Sequence, residues 1–363
     1  MAPVQLELDV LTALHEFDAL HAEWNDLLQT DPARNLFLTP AWNRAWWHTF
    51  GADKALRLLA LRCGGRLVGL APYMVYPSRI GGLSARVLGT FTNPHVSRTN
   101  ILIAPGYGTA VAQRVAAYFK SSADEWDVAL LQQIPAASPW LPAFLQHASD
   151  IGLLSLPPQP GVRKCILPIA QSWESYVNER GTHFRRNIGK TERRVARGGA
   201  VTYRHCTDPA TASADFAVFQ DVEQRSWKGA NDEGAHLGSQ GWAFQQEFAT
   251  ASADGIQCDN WIVELDARPI AIVHTVGFDR VNYCFQTLYD ESTKDLYVGR
   301  AAVTRHIESV FSGGAYDALD LNGDSDFCAS WSPQVQEFVS LQLFHRKPYS
   351  GMLWGLKKAW GTR

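Results

Sequence analysis

Two distant stretches of this chain carry the same succession of elements, and that repetition limits the fold more than any single motif. GTAVAQRVAAYFKSSADEWDVALLQQIP begins at Gly108, and GRAAVTRHIESVFSGGAYDALDLNGD begins at Gly299. Each reads as a glycine, a helix, a short break, an aromatic–aspartate pair (Trp126-Asp127, Tyr316-Asp317) and a strand. Each then runs into Ser-Pro, at Ser138-Pro139 and Ser332-Pro333. Upstream of each lie two β-rich runs about a short polar turn, at 56–76 and 260–278. A further strand-like run, 281–290, follows the second hairpin. The pattern predicts two copies of an αβββαβ unit. The first copy has surplus residues between hairpin and helix, and IGGLSARV (80–87) is expected to be the insertion. Pro157, Pro158, Pro160 and Gly161 exclude helix and central strand and are expected to mark the seam. The expected domains are 1–160 and 161–363, each α/β (α+β), with a mixed, mainly antiparallel sheet flanked by helices.

The 363 residues suffice for two domains. Hydrophobic residues at 46% and charged residues at 19% suit a folded globular chain. A net charge of -3 gives no overall basic field, so DNA is not an expected partner and any anion site is local. Cys63, Cys165, Cys206, Cys258, Cys284 and Cys328 form no CxxC pair. A zinc site or disulfide framework is therefore not expected, and the pattern fits a reducing compartment. Glu7, Asp9, Glu16 and Asp18 interrupt the N-terminal region, which argues against a secretory segment. No apolar run approaches the ~20 residues of a membrane span. The expectation is a soluble, cytoplasmic protein without a metal.

Leu14, Phe17, Leu20, Trp24, Leu27 and Leu28 recur at helical spacing, and PAWNRAWWHTFG places Trp42, Trp46 and Phe50 on one helix face. The most charged stretch is GTHFRRNIGKTERRVARGG, 181–199, with Arg185, Arg186, Lys190, Arg193, Arg194 and Arg197 against Glu192. Phe184, Ile188, Thr191 and Val195 make an apolar stripe. Arg186, Lys190, Arg193 and Arg197 make a parallel basic one, and Gly198-Gly199 ends the helix. The basic stripe is either a solvated face or a surface that attracts an anionic acceptor, with Arg186 and Lys190 as binding residues.

Three groups offer chemistry. In TLYDESTKDLYVGRAAVTRHIESVF (287–311) a strand ends near Asp290, a polar loop follows, and a helix begins around Val298, Gly299, Arg300 and Ala301. Free N–H groups at such a start bind phosphate, and Arg300 can pair with it; alternatively Gly299 merely eases the junction. In ALDLNGDSD (318–326), Asp320, Asn322, Asp324 and Asp326 alternate and would share a strand face if the strand extended that far. A carboxylate there can position an amine or hydroxyl or take its proton. Gly323 precedes Asp324 and Trp331 stands at the twelfth position, so this is not an EF-hand calcium loop. Glu264 and His274 lie within apolar strand runs, each either a cleft-facing base or a core residue, and Tyr289 near a strand end offers a hydroxyl donor.

The order of these elements resembles the GNAT acyltransferase superfamily, whose Q/R-x-x-G-x-G/A loop cradles the pyrophosphate of acyl-CoA. Gly299-Arg300-Ala301 matches the G-x-A part, and Leu296 stands where Gln or Arg is expected. More closely, the whole chain looks like the tandem-GNAT, CelD-like or BcsL-like acetyltransferases of polysaccharide and cellulose loci. PAWNRAWWHTFG, FRRNIGKTERRVARGG, VELDARPIAI, the YD-containing strand and LDLNGD carry that likeness. The resemblance implies acetyl-CoA or another acyl-CoA as co-substrate and direct transfer to a small, sugar-derived or anionic acceptor. It places CoA in the C-terminal copy, at Leu288, Val298, Gly299, Arg300 and Ala301. Asp320, His274, Glu264 and Tyr289 become catalytic candidates, and Asn322, Asp324, Arg186 and Lys190 acceptor-binding ones. The tandem arrangement also resembles FemABX-type peptidyltransferases, which implies an aminoacyl-tRNA partner instead; a non-catalytic scaffold is the third alternative.

Overall fold

The computed structural model describes residues 5–93, 96, 98–230, 238–249 and 254–360. These form two compact units, 1–163 with 336–363, and 164–335.

In the first unit, β1 (Glu7–Leu11) leads to α1 (Leu14–Ala19) and α2 (His21–Thr30), two helices where the apolar spacing predicts one. α3 (Pro40–Phe50) begins with Pro40 after Thr39, whose side chain accepts the Trp42 N–H, and it buries Trp42 and Trp46. β2 (Ala55–Cys63), β3 (Arg66–Ile80) and β4 (Leu83–Thr90) make an antiparallel meander. Residues 80–87 are therefore a turn and the start of a core strand, not an insertion. The surplus lies later, between Thr90 and α4 (Gly108–Ser121), where β5 (Leu102–Ile103) sits. β6 (Val128–Pro135), α5 (Leu141–Asp150), β7 (Leu154–Ser155) and β8 (Gln159–Pro168) follow. β8 starts within the expected seam. Pro160 is tolerated at its beginning, where a missing N–H costs little.

The second unit takes the end of β8 and then α6 (Trp173–Glu179), α7 (Gly181–Ala196), β9 (Val201–Cys206), α8 (Ala212–Gln224), α9 (Trp227–Ala230) and α10 (Gly238–Ala249). β10 (Gln257–Cys258), β11 (Asn260–Leu265), β12 (Arg268–Phe278), β13 (Val281–Tyr289), α11 (Val298–Gly313), β14 (Ala318–Asp320) and α12 (Asp326–Trp331) complete it. Its sheet runs β8-β14-β13-β12-β11-β9. One face is covered by α6, α7 and α11 through Val195, Val263, Val273, Val298, Ile307 and Leu319. The alternate residues of β12, Ile272 and His274, face the other side, where Phe216, Phe219 and Trp242 of α8 and α10 pack. On α7, Thr191 and Val195 are buried and Phe184 and Ile188 pack on the core, as the stripe predicts.

β15 (Val335–Phe344) and α13 (Pro348–Trp360) return to the first unit. β6 is followed by the short β7 and then by β8, which pairs with β14; β14 is followed by β15, which pairs with β6. A single boundary at 161 therefore misplaces residues 336–363.

The repeat keeps a shared lock. Arg86 donates to Asp127 Oδ1 at 2.9 Å, and its carbonyl accepts Asp127 N–H at 2.8 Å. Arg280 does the same to Asp317 at 2.7 Å in both bonds. Among the described residues, no helix is long and apolar enough to cross a membrane, and no cluster of three or more His, Cys, Asp and Glu is arranged to hold a metal.

Candidate functional site

The second unit opens where two parallel strands part. β14 pairs with β13 only over Val281–Tyr283. Beyond Tyr283, β13 keeps β12 on one side, and no described strand pairs with it on the other. A bulge marks the parting: Thr275 faces Cys284 and His274 faces Gln286, so Phe285 is the extra residue. In the first unit the corresponding parallel pairing falls on Val87–Gly89, next to the end of β4, and that strand end is covered.

A cavity of about 650 Å³ fills the opening. Cys284, Phe285, Thr287 and Tyr289 of β13 form one wall, Lys294, Asp295 and Tyr297 the next, then Val298, Gly299, Arg300 and Val303 of α11. Leu321, Asn322, Phe327 and Cys328 close it.

The loop between β13 and α11 is fixed by Asp290. This buried carboxylate accepts from Ser292 N at 2.9 Å and Ser292 Oγ at 2.6 Å, and it pairs with Arg225 and, at 2.8 Å, Arg268. Burial pushes its pKa up, but the Ser292 bonds and Arg225 outweigh that and hold it below the ordinary value. Residues Glu291–Leu296 then make a 3-10 turn. Leu296 takes the space left by Gly198, where a Cβ would lie 2.5 Å from its Cδ1. So the residue at the expected Gln/Arg position packs against the end of α7. Tyr297 is left-handed (φ 58°, ψ 35°), and the Arg194 guanidinium lies 4.3 Å over its ring. Replacing Asp290 with alanine leaves two arginines without their shared carboxylate. We expect a loss on the order of 3 kcal/mol in chemical denaturation; an unchanged midpoint would remove Asp290 as the anchor.

α11 starts without a side-chain cap, so its first N–H groups face the cavity end with the positive end of the helix dipole. Gly299 has a packing reason as well. A Cβ there would lie 2.7 Å from Tyr289 Cδ1, so the glycine admits that ring. Lys294 and Arg300 are exposed cations at the rim, with Arg300 5.7 Å over Phe327.

The structure gathers Val298, Gly299, Arg300, Tyr289 and Asn322 on this cavity. Ala301 is buried in the same helical turn, and Leu288 is buried in β13 opposite Ile272, pointing away from α11. Asp320 is buried at the end of β14, where its Oδ1 accepts Asn322 N–H at 2.8 Å. The expected alternation on one strand face does not form. β14 stops at Asp320, Asn322 is left-handed (φ 53°) and bonded to Lys164 Nζ, Asp324 lies in an exposed turn, and Asp326 begins α12.

His274 does not face the cavity. It is fully buried among Phe216, Phe219, Trp242 and Phe285. Its Nδ1 lies 2.9 Å from Asn260 Oδ1 and its Nε2 3.1 Å from Gln245. Asn260 Oδ1 also accepts Thr275 N–H at 3.0 Å, so the ring donates to it through Nδ1. Burial pushes its pKa down to about 3. This is a satisfied core histidine, not a base. Glu264 lies 3.8 Å from Arg204, which also holds Asp215 at 2.7 Å, away from the cavity. Arg186 and Lys190 are exposed on α7 and do not border it; Arg194 of the same helix reaches its edge through Tyr297. Arg194, Tyr297, Lys294 and Asp290 are residues of this site to which the sequence motifs assign no role in it.

Residues 182–327 match the family model described as Acetyltransferase (GNAT) domain. No curated protein matches the chain. Among solved structures, FemX covers 95% of this chain and 99% of its own at 11% identity and a TM-score of 0.61. The C-terminal domain (DUF2156) of a putative lysylphosphatidylglycerol synthetase from Agrobacterium fabrum covers 94% and 96%, at 11% identity and 0.55. L-PGS from Bacillus licheniformis covers 94% and 97%, at 11% and 0.54. At these identities the likeness is one of fold. Over residues 182–327 the chain is therefore similar to the GNAT acetyltransferase family, and its fold is the GNAT fold.

Proposed function

We propose that the second unit transfers an acyl group from acyl-CoA directly to the amine or hydroxyl of a small acceptor, a sugar, polysaccharide precursor or related anionic compound. The observation that carries this reading is the free stretch of β13 and the uncapped start of α11 meeting on one cavity. A pantetheine arm can bond the strand edge as an added strand would. The N–H groups of Val298, Gly299 and Arg300 suit the phosphates, with Lys294 and Arg300 adding charge. Arg194 stands where its guanidinium can add to them, a contribution the loop itself lacks at Leu296.

Tyr289 ends the cavity wall of β13, and burial pushes its phenol pKa up, so it stays protonated and can donate to the departing thiolate. Asp320, at the end of β14, is the carboxylate we assign to the acceptor's side, next to Asn322. Burial raises the Cys284 thiol to about 12, which removes it as a nucleophile and favours direct transfer. The carbohydrate-associated acceptor class rests on the CelD-like and BcsL-like resemblance.

Acetyl-CoA at ~100 Kd is expected to stabilise the chain by about 2.7 kcal/mol, read as a rise in melting temperature. Arg300→Ala and Lys294→Ala should each weaken that shift. The exposed basic face of α7 (Arg185, Arg186, Lys190, Arg193, Arg197) favours one other reading, an aminoacyl-tRNA donor. Retention of tRNA with no response to any acyl-CoA would replace the first reading by the second.

A further inference from the structure

The amine of Lys228 reaches Gln286, a β13 residue between two that line the cavity, and has no part in the reading above. α9 follows α8 directly, and Arg225 at the junction is clamped to Asp290; its carbonyl also accepts Glu291 N–H at 3.0 Å. Ser226 fixes the next residues: its Oγ donates to Glu223 O at 2.7 Å and accepts Lys228 N–H at 3.2 Å. This anchoring holds Lys228 against β13, where Nζ donates to Gln286 Oε1. Gln286 lies between Phe285, the bulge residue, and Thr287, and both of these line the cavity. The side chain is half-buried, and burial pushes the ammonium pKa down, with Glu223 and Cys284 opposing only in part.

We propose that Lys228 is a self-acylation site: when no acceptor is present, its Nζ takes the acyl group from acyl-CoA bound along β13. The inference rests on the acyl-CoA reading. A thioester lying on the free edge of β13 passes the bulge at Phe285, and Nζ is held at the neighbouring residue. The Nζ lone pair attacks the thioester carbonyl carbon, so an N–C bond forms and the C–S bond breaks. CoA leaves as thiolate and receives the proton that the amine sheds. The product is a neutral amide, and no oxidant or third reactant is needed. Lysine differs here from arginine because its amine can lose its proton when buried.

The full chain is incubated with acetyl-CoA alone and, separately, with acetyl phosphate, which lacks the CoA handle. Acetylated lysines are then mapped by mass spectrometry, and the melting temperature is read in the same samples. Acetyl-CoA should modify Lys228 faster than exposed Lys190, because the thioester bound along β13 is held close to Nζ. Acetyl phosphate should show no such preference. Lys228→Arg should abolish the mark while the melting shift with acetyl-CoA persists. A melting shift with Lys228 modified no faster than Lys190 overturns the inference and leaves the acyl-CoA reading standing. Equal preference with acetyl phosphate also overturns it. With no melting shift, both fall.

Discussion

A chain ended at Val335 should lose the fold of its first unit and keep that of its second. The removed residues supply β15, which pairs with β6 from Phe338 to Leu343 and with β7 at its end. Phe338, Leu341, Leu343, Phe344 and Leu353 are all at most 2% exposed. At ~2 kcal/mol for each buried apolar side chain, their loss is on the order of 10 kcal/mol. That equals the whole stability of an ordinary domain, about 5–15 kcal/mol. Polar locks go with them: His345 Nε2 lies 2.7 Å from Trp126 O, and Ser350 Oγ donates to Asp127 O at 2.6 Å. The bare edge of β6 would also be open to pairing with other chains. Every strand pairing within the second unit's sheet falls inside 164–335. Hydrogen exchange should therefore show residues of β2, β3 and β4 unprotected and those of β11, β12 and β13 protected. Full protection of β2–β4 in the truncated chain would refute the assignment of residues 336–363 to the first unit.

What could be read from the sequence is what local periodicity encodes. The αβββαβ repeat is legible because each element has its own period, and the Asp127 and Asp317 locks sit at matching places in it. The buried stripe of α7 is legible because helical spacing puts Phe184, Ile188, Thr191 and Val195 on one side. The route of β15 is not, since an alternating strand does not name its partner, and β6 lies some two hundred residues earlier. Nor is the side His274 takes. β12 is buried on both faces, so its run of apolar residues has no polar face to reveal direction. Asp290 does follow the end of β13, as expected, but its anchoring role is not legible, because its partner Arg225 lies 65 residues away in the chain. Residues 80–87 looked surplus because the bend at Gly81-Gly82 resembles a loop insertion; both glycines have positive φ and make a hairpin turn.

Acid should unfold the second unit well before its carboxylates are protonated. His274 and His306 are buried, and burial lowers their pKa values to about 3 and about 4. His306 Nε2 meets Asn282 Oδ1 at 3.1 Å, and its Nδ1 has no hydrogen-bond partner. The unfolded chain takes up protons at both near pH 6.5, while the folded one refuses them. The unfolded state thus binds more protons, and stability falls as pH drops from about 6.5 towards about 4. Each histidine contributes up to ~1.4 kcal/mol per pH unit, so together the loss is on the order of 5 kcal/mol across that window. Asp259 and Asp290 act lower. Their folded pKa values are depressed, so their contribution is intact above the ordinary carboxylate value of about 3.9 and is lost only as pH falls below it. Denaturant titrations between pH 7 and pH 4 read the slope directly. His274→Gln stays neutral and keeps an amide beside Asn260 and Gln245, so it should flatten the slope by about one proton. An unchanged slope in that variant would show that His274 is already protonated in the folded chain.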